Sequence, residues 1–174
     1  METAPEDRVA AFDALLARME RTGVCRPDER VGCTAEEIAA LEARYGVRLP
    51  ATYRRYLETM GHDAGRLFRH DPSSQTRYRH VLEMTAAERA LWSDYDPPWE
   101  LPADALLVFG REGDWFDFIR CDGGGDAPVW KYDVYRWELR ETSPGVVAWL
   151  ERWCAAAETA IAEGYFGPVR GGAG

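Results

Sequence analysis

TAEEIAALEARYGVRLPATYRRYLETMG, residues 34–61, reads as two short amphipathic helices joined by a tight turn. Thr34 and Glu37 form a capping box, in which the hydroxyl covers a free helix N–H and the carboxylate reaches back to the cap. Ile38, Leu41 and Tyr45 recur on one face, and Gly46 stands where a left-handed residue ends a helix. Pro50 suits the first turn of the next helix, where a missing N–H costs nothing. Tyr53, Tyr56, Leu57 and Met60 make a second apolar stripe, closed by Gly61. No residue of this run is an obvious catalytic group.

The N-terminal segment predicts another amphipathic helix, about Pro5 to Arg21, with Val9, Phe12, Leu16 and Met19 on one side. It lacks the apolar core and cleavage pattern of a signal peptide. After Gly61 comes a polar, irregular stretch, HDAGRLFRHDPSSQTRYRH, with Leu67-Phe68 as a short strand and Asp71 to Ser74 as a turn. Thr85 and Glu88 predict a second capping box, opening a short helix that ends near Trp92. DYDPPWELP, residues 94–102, is an extended proline-rich connector. Four strands follow: Ala105 to Phe109, Trp115 to Cys121, Val129 to Tyr132 and Tyr135 to Arg140. In the last, Tyr135, Trp137 and Leu139 alternate with charges, which predicts one buried and one solvated face. Ser143-Pro144 supplies N-cap chemistry for a closing helix whose stripe is Val147, Leu150, Cys154, Ala157 and Ile161.

Helices followed by strands argue for an α+β fold: one antiparallel sheet of four to six strands, with helices on one face and at its edges. The expected organisation is a single domain over residues 1–166, helical at 5–61, mixed at 62–103, sheet at 104–141 and helical at 143–164, with a flexible tail at 167–174. At 174 residues and 46% hydrophobic, the chain can bury a real core. A net charge of −9 argues against nonspecific binding to nucleic acid or anionic lipid and is compatible with a basic protein partner. No segment approaches the ~20 apolar residues that span a bilayer. Cys25, Cys33, Cys121 and Cys154 match no zinc spacing and are expected to be reduced, in the cytoplasm.

The candidates for chemistry are thin. His62, His70 and His80 have no metal-site spacing. DGGGD, residues 122–126, lacks the lysine and helix of a phosphate loop and the ligand pattern of an EF-hand, and reads as a hairpin turn. Glu112, Asp114 and Asp117 cannot all share one strand face. No serine, cysteine or metal hydrolase motif is present, so no catalytic residue, metal or cofactor is expected. The tryptophans at 115, 130, 137, 149 and 153 read as core. Trp92 and Trp99 flank the acidic connector, either as protein-binding anchors or, for Trp99, as cover for the sheet edge.

The run of residues 34–61 resembles the N-terminal signature of the SUKH superfamily: Glu36/Glu37, Ile38, Leu41, Glu42, Gly46, Leu49, Pro50, Tyr53, Tyr56, Leu57 and Gly61. Leu107-Val108-Phe109-Gly110, Gly113-Asp114, Trp115 to Phe118, and Ser143 with Val147 to Leu150 resemble the family's later elements in the same order. The sequence departs after Gly61, where His62-Asp63 replaces the usual small residues, and in the longer 62–102 segment. The resemblance implies a bacterial immunity protein that binds and neutralises a cognate toxin, a nuclease being one class, without doing chemistry. Eukaryotic relatives imply the alternative, a scaffold or regulatory module with a non-toxin partner. A third reading is a small metal-dependent hydrolase built on His62, His70 and His80. The expected partner surface is Asp94, Tyr95, Asp96, Trp99 and Glu100, with Asp114, Asp122 and Asp126. The expected state is a monomer or weak homodimer.

Overall fold

The computed structural model describes residues 5–96, 98, 100–111, 115–133, 136 and 138–167. Helix α1 (Pro5–Thr22) leads into a 3-10 turn and the two-residue strand β1 (Arg30–Val31). Helices α2 (Ala35–Tyr45) and α3 (Ala51–Met60) follow, then β2 (Asp63–Ala64), β3 (Ser74–Gln75) and α4 (Tyr78–Ser93). Strands β4 (Ala105–Arg111), β5 (Trp115–Arg120), β6 (Val129–Asp133) and β7 (Glu138–Ser143) precede α5 (Val146–Ala162).

The capping box that opens α2 forms on both sides: Glu37 N–H donates to the Thr34 hydroxyl at 3.2 Å, and Thr34 N–H to the Glu37 carboxylate at 2.8 Å. Gly46 takes φ 62°, where a side chain would be strained, and ends the helix. Pro50 is the N-cap of α3 rather than its first residue. Ile38 and Leu41 of α2 and Tyr53, Tyr56, Leu57 and Met60 of α3 are buried, as the two stripes require. On α1 the buried residues are Phe12, Leu15 and Met19, while Val9 and Leu16 are only half-buried.

The main sheet is an antiparallel meander in the order β3-β4-β5-β6-β7, and β1 pairs with β2 in a small separate ribbon. Strand β4 is buried from Ala105 to Gly110, and its register against β5 shifts between Leu107 and Phe109. Phe109 and Asp117, paired across β4 and β5, face α5: Phe109 stacks near Trp153 and Asp117 accepts the Trp149 indole N–H at 2.9 Å. Tyr132, paired with Phe116, points the other way, against Trp92 of α4. The buried side chains of α1 to α5 and of the sheet form one cluster.

Several local expectations are corrected. Helix α4 begins at Tyr78, not Thr85, because Tyr78, Val81 and Met84 extend the apolar face by two turns. Thr85 is no cap: it is fully buried, and its hydroxyl accepts the Leu107 N–H at 2.9 Å. Leu67 and Phe68 are buried in a run of turns rather than a strand. Strand β7 begins at Glu138 and reaches Ser143, later than expected; Leu139 is 37% exposed, so the inward face foreseen for it is not seen there. Tyr135 and Trp137 lie outside the described residues. Ser143 therefore ends a strand, and Gly145, not Ser143, is the N-cap of α5. Trp92 is core, 1% exposed with its indole donating to Glu88 at 3.0 Å, whereas Trp115 is 46% exposed.

Candidate functional site

The chain leaves α4 through the acidic connector, whose C-terminal end is tied back to the helix. The Arg89 side chain donates to the carbonyls of Pro102, Ala103 and Ala105 at 3.0, 2.8 and 3.2 Å. Tyr95 is half-buried against the core and Leu101 is buried. Between these anchors Asp94, Asp96 and Glu100 are exposed, and among the described residues none of the three has an ion-pair partner. Trp99 and Asp114, also expected in the partner surface, lie outside the described residues.

Ala105 at the start of β4 pairs with Arg120 at the end of β5, so the connector and the 122–126 loop emerge at the same end of the sheet. Asp104 pairs with Arg120 at 2.6 Å and links the two. Asp122 is exposed, accepts the Gly124 N–H at 2.9 Å, and bridges to Arg48 through the backbone. Asp126 differs. Its Oδ1 accepts the Thr52 hydroxyl at 2.7 Å, the Val146 N–H at 2.8 Å and its neighbour Ala127 N–H at 3.1 Å. The carbonyls of Gly124 and Gly125 accept the N–H groups of Ala51 and Thr52 at 3.0 Å each. The DGGGD loop thus caps α3 and α5 at once, which accounts for its composition without a ligand.

A second feature, at the opposite end of α4, has no signature in the sequence. A cavity of about 680 Å³ is lined by Asp63, Arg69, Asp71, Arg77, Arg79 and His80, with Phe68 and Tyr56 at its floor. Arg69 and Arg77 share Asp63 at 2.9 and 3.6 Å, and Asp71 pairs with Arg111 at 3.3 Å. This wall is cationic on a chain of net charge −9. Helix α4 therefore carries Arg77 and Arg79 at its N-terminal end and Asp94 and Asp96 beyond its C-terminus. Both placements oppose the helix dipole, at a cost of about 0.3–1 kcal/mol per exposed charge, so helix stability does not explain them.

The three histidines go to three places. His62 Nε2 lies 2.9 Å from the Glu37 carboxylate. His70 packs against Trp153, and burial holds its pKa below the ordinary value. His80 receives the Arg79 Nε–H at 3.2 Å, and burial with Arg79 and Arg77 also lowers its pKa. No group of potential metal ligands among the described residues contains more than one of them. All four cysteines are buried free thiols. Burial pushes Cys121 up to about 12 and Cys25 up to about 11, so neither is an activated nucleophile. No helix among the described residues is long and apolar enough to cross a membrane.

Helices packed on an antiparallel meander, with an exposed acidic segment leading into its first long strand, define an α+β protein. The chain belongs to the SMI1 / KNR4 family (SUKH-1), whose model matches residues 32–152. Proteins of this family are generally non-catalytic immunity or regulatory proteins, and membership is consistent with either an immunity protein or an SMI1/KNR4-like module. No curated protein matches the chain significantly.

Proposed function

We propose that this protein is an immunity protein that neutralises a cognate toxin by forming a stoichiometric complex, with no chemical step of its own. The observation that carries this reading is the acidic end of the sheet. Asp94, Asp96 and Glu100 stand exposed, without ion-pair partners among the described residues, next to Tyr95 and Leu101, which pack into the core. Exposed acids complementary to a basic groove speed encounter with it and select the partner. The partner that fits is a basic effector domain, with a nuclease as the leading class, because carboxylates occupy the groove that otherwise takes phosphates. Trp99 and Asp122 are assigned to the same contact; Asp114 falls in sequence between Arg111 and Trp115, which pair at the opposite end of β4 and β5, so it is left out of that contact. Asp126 is a rim residue at most, since its carboxylate already holds two helices. The protein acts in the cytoplasm, as a monomer or weak homodimer, where its four thiols stay reduced.

The test is co-expression with the toxin domain encoded beside its gene. Survival of the host, and a complex on gel filtration that weakens as salt rises, are expected. Unchanged toxicity with no complex sinks the reading. A stable complex with a non-toxin protein instead supports a regulatory module.

A further inference from the structure

Cys33, Glu37 and His62 converge where α3 ends beside the start of α2. Their ligand atoms all lie within 4.8 Å of one another. Each residue is fixed independently. Cys33 N–H donates to the Leu57 carbonyl at 2.8 Å, and His62 N–H to the Val31 carbonyl at 2.9 Å. Glu37 is held by the capping box, where one oxygen takes the Thr34 N–H at 2.8 Å. His62 Nε2 sits 3.0 and 2.9 Å from the two Glu37 oxygens.

A carboxylate–imidazole pair accounts for two of these groups and leaves the sulfur unexplained. Cys33 is 8% exposed, and among the described residues its thiol has no hydrogen-bond partner. It is also pressed against the chain just before His62: a Cβ on Gly61 would stand 2.4 Å from Sγ. The glycine lets the sulfur lie beside the imidazole.

We propose that Cys33, Glu37 and His62 form a site for one zinc-type divalent ion, with a fourth position open to water. Thiolate, imidazole and carboxylate together are a zinc ligand set, and the sulfur selects against magnesium and calcium. Thiolate and carboxylate balance the two positive charges, while neutral His62 binds through Nε2 and carries its proton on Nδ1. Binding releases the Cys33 proton to solvent. A tetrahedral zinc cage needs ligand atoms roughly 3.3–3.6 Å apart, so the His62–Glu37 pair at 2.9 Å parts slightly while the sulfur settles to that spacing, adjustments that side-chain rotation supplies. The side chains of His62 and Glu37 are 36% and 33% exposed, which gives the ion a way in and leaves the fourth position facing water. The ion would clamp the start of α2 to the end of α3. Residues 33, 37 and 62 form no recognised sequence pattern, because the third ligand is brought in by the fold.

The test uses the full chain, stripped with chelator and titrated with Co²⁺. A thiolate-to-cobalt charge-transfer band in the near ultraviolet, complete at one equivalent and displaced by Zn²⁺, is expected. Cys33→Ser should remove the band. His62→Gln, which leaves the buried thiol in place, should weaken Zn²⁺ binding roughly tenfold or more in competition with a chromophoric chelator. Cys154→Ser, at a buried thiol 3.6 Å from Glu158, should change neither readout. The site is overturned by no band at one equivalent, a band that survives Cys33→Ser, or Zn²⁺ affinity indifferent to His62→Gln.

Discussion

The carboxylate of Asp126 accepts the Val146 N–H at 2.8 Å, so the loop between β5 and β6 caps a helix that begins twenty residues later. The same oxygen takes the Thr52 hydroxyl at 2.7 Å and thereby ties α3 to α5. Asp126→Ala removes a cap and strands a buried hydroxyl, and should cost about 2 kcal/mol. Gly145→Ala should cost a similar amount by a different route, since its Cβ would meet Asp126 Oδ2 at 2.1 Å. Urea denaturation of both variants and of the double variant checks this. The two losses should be far from additive, because each breaks the same contact; full additivity would show that Asp126 does not hold α5.

Thr85 gives a second test of the packing. Its hydroxyl takes the Leu107 N–H next to the register shift in β4, inside the core. Thr85→Val keeps the shape and leaves that N–H without a partner, which should cost about 1–3 kcal/mol. Thr85→Ser should recover part of it. Equal urea midpoints for wild type and Thr85→Val would refute a structural role for this bond.

These two residues also show where the sequence was legible. The α2 box worked because Thr34 and Glu37 satisfy each other within one turn, and such local chemistry is written in neighbouring letters. Thr85 and Glu88 spell the same box, yet a strand far along the chain takes the hydroxyl and an indole takes the carboxylate. Ser143-Pro144 misled in the same way, because the cap of α5 comes from Asp126 across the fold. The exposure of the connector acids Asp94, Asp96 and Glu100 is readable from composition. Arg89, which ties Pro102 and Ala103 back to α4, and the cationic cavity at the other end of that helix depend on tertiary placement and leave no local pattern.

Asp117 sets a pH dependence. It is largely buried between β5 and α5, and burial raises its pKa; the Trp149 indole and the Lys131 charge only partly offset this. With a folded pKa above the unfolded one, the folded state holds more protons between the two values. Stability from this group is therefore greatest at low pH and falls as pH rises through the folded pKa. Asp117→Asn can keep the Trp149 bond without the buried charge. The expected result is a higher Tm than wild type at pH 7, with the difference shrinking towards acid pH. A Tm difference that does not vary with pH would contradict it.

The acidic end carries the functional prediction. Charge reversal of Asp94, Asp96 and Glu100 to Lys should abolish neutralisation of the cognate toxin while leaving Tm close to wild type, since all three are exposed and without ion-pair partners among the described residues. Arg89→Ala tests the tie at the connector's C-terminal end separately. It frees the carbonyls of Pro102, Ala103 and Ala105 but removes none of the acids. Affinity should fall roughly tenfold, chiefly through faster dissociation, with the salt dependence of association unchanged. Surface plasmon resonance over a salt series separates the two effects. Reversed acids that bind as tightly as wild type at low salt would move the contact elsewhere, and the cationic cavity around Arg69, Arg77 and Arg79 would be the next surface to mutate.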